Sequence, residues 1–178
     1  MVIVREMREA DIEAVSTVRV NSWKVAYAGL IPAAHLDGMN VETDAVSRRE
    51  WFERGAGSVD NLVAEVDGAV VGWACLGPCR DEDALPGDGE IYAIYALPDW
   101  FGTGVGRALM QSAMSYAAQR SYERVLLWVL RDNPRARRFY AAAGFAPDGA
   151  EEGFAVGAAT VPEVRYVTRT SPNGRYSG

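Results

Sequence analysis

The 178-residue chain reads as an α/β protein with a mixed, mostly antiparallel central sheet of about six to seven strands and helices on both faces. Three observations predict it. Short apolar runs of strand length alternate with segments of helical periodicity along the chain. Asp67 and Gly68 join two of those runs as a two-residue hairpin signal, so part of the sheet is antiparallel. Residues 90–109 pass from a strand pattern through three glycines straight into a helix.

Residues 2–7 alternate apolar and polar positions and predict the first strand. Asp11 is placed to cap a helix that carries Ile12, Val15, Val18 and Ser22 on one face and runs to about Tyr27. Gly29 stops it, Pro32 opens a short helix with Leu36 and Met39, and a third helix over 42–54 is built around Val46, Trp51 and Phe52. Residues 61–66 and 69–76 are the hairpin strands. Residues 77–89 hold Asp81, Glu82, Asp83 and Asp88 with two prolines and read as a surface loop of solvated charge. The central strand at 90–97 ends at Pro98, which has no N–H to give the ladder. A helix follows to about Gln119, then a nearly uninterrupted apolar strand at 124–130 of the kind buried on both faces. Asn133 caps another helix with Pro134 at its first position and Gly144 as its stop. Phe145 opens a short strand, 149–162 is a loop, and 161–168 is the last strand pattern. No repeat or linker interrupts 1–170, which is expected to be one domain, with 171–178 as a flexible tail.

Gly102, Gly104 and Gly106 stand at the start of the helix after the central strand. Backbone N–H groups there can approach a ligand without Cβ atoms in the way, and the helix dipole favours an anion. Two common phosphate motifs do not fit. A P-loop needs Lys and then Ser or Thr after its last glycine, whereas Gly106 is followed by Arg107 and Ala108. A dinucleotide fingerprint needs a different glycine spacing from Gly-x-Gly-x-Gly. The pyrophosphate of an acyl-coenzyme A is the third candidate.

Composition narrows the classes further. With 49% hydrophobic residues the chain can bury a sizeable core. No run approaches the length of a membrane span and no signal peptide opens the chain, so a cytoplasmic protein without a membrane partner is expected. Cys75 and Cys79 are too few for a disulfide framework, and with His35 as the one imidazole no metal site is expected. A net charge of −6 argues against a nucleic-acid partner and fits a cationic substrate.

The order of elements, the 90–98 strand, the glycines at 102–106, and the run Leu-Trp-Val-Leu-Arg-Asp-Asn-Pro-Arg-Ala-Arg-Arg-Phe-Tyr-Ala-Ala-Ala-Gly-Phe at 127–145 resemble the GCN5-related N-acetyltransferase (GNAT) family. The resemblance implies that the two central strands splay apart at their C-terminal ends and that acetyl-CoA is the acetyl donor. The last two glycine positions of the family's pyrophosphate motif fall on Gly104 and Gly106. Its first, polar position falls on Phe101, so phosphate binding should lean on main-chain N–H groups of Gly102, Thr103, Gly104, Val105, Gly106 and Arg107, with Arg107 as a possible added charge. Main-chain groups of Ile94, Tyr95, Ala96 and Leu97 would hold the pantetheine arm as an added strand. Asn133 matches a residue that contacts coenzyme A, although capping explains it equally.

An amine of pKa about 10 is protonated at neutral pH, so direct transfer needs a base. Glu90 matches a glutamate that often fills that role in the family; the alternative is a strand-end carboxylate paired with an arginine. Tyr140 matches the general acid that protonates the departing thiolate. Trp23, Tyr27 and Tyr92 would border a small primary amine, attacked in a ternary complex. Acetylation of a protein N-terminus or lysine, or a degenerate acyl-CoA-binding regulatory module, stays open. Dimerisation is common in the family, which leaves room for a homodimer.

Overall fold

The computed structural model describes residues 1–170; the expected tail lies outside them. Strands β1 (Ile3–Glu6), β2 (Asp60–Val66), β3 (Ala69–Pro78), β4 (Asp88–Ala96), β5 (Arg124–Leu130), β6 (Ala146–Val156) and β7 (Ala159–Arg169) form one sheet in the order β1-β2-β3-β4-β5-β7-β6. Only β4 and β5 pair in parallel. Asp67 and Gly68 both have positive φ, as a tight hairpin between β2 and β3 requires.

Helices cover both faces. On one, α4 (Val105–Gln119) buries Val105, Leu109, Ala113 and Met114, with Phe139 and Tyr140 of α5 (Pro134–Ala142) packed at the same core. On the other, α1 (Ile12–Ala26) and α3 (Val41–Arg54) set Ile12, Val15, Val18 and Ala45 against Met7, Val63 and Trp73. The short α2 (Ala33–Gly38) adds Leu36 beside Trp23 and Ile31.

Four local expectations change. Asp11 does not cap α1; its carboxylate accepts from Arg5 and from the Arg8 N–H, tying β1 to the turn that follows. In α3 the buried positions are Ala45 and Arg48, while Val46 and Trp51 are exposed. The acidic loop is not merely solvated. Asp81 and Asp83 accept from Arg165, and the buried Asp88 accepts from Arg124. Finally, most of 149–162 is strand, because β6 pairs with β7 from Glu151↔Val164 to Val156↔Ala159. Its run of Gly, Ala and Glu carries little strand propensity, so cross-strand pairing decides it.

The feature that positions the site is a gap. β4 and β5 pair only at Asp88↔Arg124, Gly89↔Val125 and Glu90↔Leu126, although both strands continue beyond that point.

Candidate active site

The gap leaves one edge of β4 open. The Leu97 N–H donates to the Val71 carbonyl at 2.8 Å, so the antiparallel alternation turns the main-chain groups of Tyr95 and Leu97 toward β3 and those of Ile94 and Ala96 toward the gap. The four main-chain contacts expected at 94–97 therefore reduce to two on this edge. Tyr95 contributes its ring instead, stacked on Trp73 at 6.1 Å between centroids.

Beyond the gap lies the start of α4. Gly104, the residue before its first turn, has φ +99°, and Gly102 has φ +76°. No side chain caps this helix. The Thr103 hydroxyl donates to the Trp100 carbonyl, and the first helical bond runs from the Ala108 N–H to the Gly104 carbonyl. The N–H groups of Val105, Gly106 and Arg107 thus precede the helical ladder and stay free for an anion. Arg107 is exposed. The Arg135 guanidinium from α5 lies 3.8 Å from the Phe101 ring centroid, so a cation stands beside the position where the family motif lacks its polar residue. Nothing in the sequence links two residues so far apart. Asn133 spends its side-chain oxygen on the Ala136 N–H at 3.1 Å, which makes it the cap of α5.

A cavity of about 630 Å³ that draws on both faces of the sheet is lined by Trp23, Tyr27, Glu90, Tyr92, Tyr95 and Tyr140. Five of these six were expected at the site, and Tyr95 was expected only through its backbone. Trp23 packs edge-on to Tyr27 at 4.9 Å and lies 6.3 Å from Tyr95 and 6.2 Å from Phe154. Tyr140 sits against Phe139 and Phe145, its hydroxyl proton held well above the usual phenol range by burial, then by nearby Tyr95 and Glu163. Tyr27 shifts the same way, chiefly through burial.

Glu90 is 3% exposed and fully engaged. Its carboxylate accepts from Arg80 Nη2 at 2.6 Å, Arg80 Nε at 3.2 Å and the Arg80 N–H at 3.0 Å. The same guanidinium lies over the Tyr92 ring at 4.0 Å, and the Tyr92 hydroxyl donates to the Pro78 carbonyl. A register shift between Cys75 and Leu76 leaves Tyr92 without a β3 partner, two positions along β4 from Glu90. The Cys79 thiol and the carboxylates of Asp81 and Glu90 lie within 4.8 Å of one another. Both carboxylates already accept from guanidinium groups, and Asp81 also from Trp128.

Sequence reasoning missed Arg80, Glu152, Phe154 and Glu163, all of which line the cavity. Glu152 and Glu163 are direct partners across β6 and β7. Burial, then Glu152 and Glu90, push the Glu163 carboxyl up to about 7. The one signal that could have found them is the β6–β7 hairpin, hidden in a stretch without strand character.

The profile of the Acetyltransferase (GNAT) family matches residues 26–145. The chain belongs to the GNAT family, the acetyl-CoA-dependent N-acetyltransferases. The uncharacterized N-acetyltransferase YuaI of Bacillus subtilis (strain 168) is 34% identical over 166 residues, 92% of this chain and 91% of that protein. A mycothiol acetyltransferase of Frankia casuarinae is 37% identical over 57% of this chain and 31% of its own length. Among solved structures, the PaiA N-acetyltransferase of Thermoplasma acidophilum in complex with coenzyme A superposes with a TM-score of 0.75 at 17% identity, covering 95% of this chain and 99% of that one. YncA of Salmonella typhimurium with acetyl-CoA gives 0.76 at 19% identity, covering 100% and 97%. These two likenesses establish the fold. In the GNAT chain the open α4 N-terminus and the unpaired β4 edge fit a pyrophosphate and an extended pantetheine arm. Among the described residues no helix is long and apolar enough to cross a membrane.

Proposed function

We propose that this chain transfers the acetyl group of acetyl-CoA to a small primary amine by direct attack in a ternary complex. One observation carries the reading: β4 and β5 stop pairing after Glu90, beside a cavity lined by Tyr140, and the chain leaves β4 for an anion-ready helix start at α4. Main-chain N–H groups at the start of α4, those of Val105, Gly106 and Arg107 above all, would hold the pyrophosphate. Ile94 and Ala96 would hold the pantetheine arm, and the Ile94 N–H would stabilise charge developing on the thioester oxygen. Tyr140 stays protonated at neutral pH and is the donor for the departing sulfur.

A covalent acetyl-cysteine route finds no support. Burial pushes the Cys75 thiol up to about 12, far from the thiolate that a nucleophile needs. The aromatic walls at Trp23, Tyr27 and Phe154, with carboxylates from Glu152 and Glu163, favour a cationic acceptor of modest size.

The test is thiol release from acetyl-CoA across a panel of primary amines and co-expressed proteins. Turnover with at least one small amine is expected, and Tyr140→Phe should lower it by about 10² while coenzyme A affinity by calorimetry is little changed. Unchanged turnover would remove Tyr140 from the mechanism. Coenzyme A binding without thiol release on any acceptor would favour the second reading, a regulatory acyl-CoA-binding module. That reading draws on the commitment of Glu90 to Arg80 and on Phe101 in the phosphate motif.

A further inference from the structure

Direct transfer requires a group that takes the ammonium proton, and Glu90 is poorly suited to it. Three donors from Arg80 occupy its oxygens, so no lone pair of its carboxylate is left facing an incoming ammonium. A different carboxylate in the cavity is unclaimed. Glu163 is half-buried, faces Leu130 of β5 on one side and Glu152 of β6 on the other, and its carboxylate has no hydrogen bond or ion pair among the described residues. Two carboxylates directly opposite each other on neighbouring strands repel. The cations near the pair act on Glu152 rather than Glu163, and they are committed elsewhere, Arg165 to Asp81, Asp83 and Asp148 and Arg80 to Glu90. Tyr140 of α5, Tyr27 at the end of α1 and Glu90 of β4 complete the titratable groups around Glu163. The cavity wall holds a second polar group without a partner, since the Trp23 indole N–H is buried and unmatched.

Resting on the acetyltransfer reading above, we propose that Glu163 is the general base and that the acceptor enters as a cationic primary ammonium, bound against the Glu152–Glu163 pair. Position gives Glu163 the role. It lies in the same cavity as the phenol that must meet the leaving sulfur, and of the two acids there without a partner among the described residues, Glu152 and Glu163, it is the less exposed. The charge of the incoming ammonium offsets the repulsion between the two glutamates. Glu163 accepts one ammonium proton and frees the nitrogen lone pair, which forms the N–C bond to the thioester carbonyl. The C–S bond then breaks, Tyr140 gives its proton to the sulfur, and the second proton lost by the nitrogen returns to the phenol. Glu163 releases its proton to water, so one amide, one thiol and one proton are the products of each turnover. A carboxyl tuned to about 7 by burial and by Glu152 and Glu90 has the basicity for this at neutral pH.

Two measurements test it. In the first, protein labelled with carbon-13 at the glutamate carboxyls is titrated by NMR. A resonance with a midpoint near 7 is expected, absent in Glu163→Gln and moved to lower pH in Glu152→Gln, because that variant removes the like charge. A Glu163 midpoint below about 5 overturns the proposal. In the second, thiol release with 2-phenylethylamine is followed against pH. Wild-type kcat/KM should rise through pH 7 and level off, whereas Glu163→Gln should lose that step and fall by about 10², with coenzyme A affinity retained. A step that persists in Glu163→Gln overturns the assignment alone. A wild-type protein that binds coenzyme A and releases no thiol, with this amine or any of the panel, overturns the acetyltransfer reading and this one together.

Discussion

At the residue scale, two glutamates of one cavity behave oppositely because of what surrounds them. Glu90 meets a guanidinium and a main-chain N–H, so its buried charge is satisfied; Glu163 meets Glu152 and apolar surface, so its charge is not. The second case has a thermodynamic signature. Its folded pKa of about 7 exceeds the ordinary 4.5, so its contribution to stability is full below 4.5 and lost as pH rises through 7. Glu163→Gln should therefore melt several degrees above wild type at pH 8 and about level with it at pH 4. Calorimetric melting at the two pH values checks this, and an equal offset at both would mean that the variant acts through packing alone. Removing the partner of Glu90 should do the reverse. Arg80→Ala leaves a buried carboxylate with one main-chain donor, and its melting temperature should drop at pH 8.

At the element scale, the junction of β4 with α4 depends on backbone conformations that side chains resist. Gly104 stands at φ +99°, with no heavy atom within 4 Å of where a Cβ would be. Gly104→Val therefore costs backbone strain rather than a clash, and it should abolish coenzyme A binding by calorimetry through displacement of the N–H groups that follow. Phe101→Ala loses packing at the edge of the core and the ring under Arg135, the latter an interaction of about 0.5–1 kcal/mol, and should weaken binding by less than about tenfold. The reverse ranking would show that the ring and its guanidinium, not the main chain, hold the phosphates. Behind the junction, α4 is pressed onto β3 at Gly72. A Cβ there would stand 2.8 Å from Val105 Cγ1 and 2.9 Å from Leu109 Cδ1, both side chains wholly buried. Gly72→Ala should cost about 1–3 kcal/mol in denaturant unfolding.

At the scale of the whole molecule, arginine–carboxylate clamps join distant parts of the chain. Arg165 of β7 reaches Asp81 and Asp83 of the loop before β4 and Asp148 of β6, while Arg124 of β5 holds Asp88 and Arg5 of β1 holds Asp11. Hydrogen bonding to these guanidiniums depresses the Asp11, Asp83 and Asp88 carboxyls below the ordinary 3.8. Their stabilisation is present above 3.8 and is lost as pH falls through the lower folded values. Melting temperature should accordingly fall steeply on acidification below about pH 4, opposite in sign to the Glu163 effect at higher pH. The clamp arginines are scattered along the sequence, which is why the acidic loop read as plain solvated charge.

What the sequence determined by itself was local. The Asp67-Gly68 turn, the glycine entry to α4, the Asn133-Pro134 start of α5 and the strand-helix order are written in neighbouring residues, whose φ preferences and capping chemistry act within a few positions. The family followed from these, and with it Tyr140. What only the tertiary structure decided was partnership. Arg80 at Glu90, Arg135 at Phe101, and Glu152 opposite Glu163 depend on strands and helices meeting across the sheet, and β6 is a strand only because β7 pairs with it. A carboxylate's basicity is set by its neighbours in space, so no reading of residue order could tell Glu90 as a clamped charge from Glu163 as a free one.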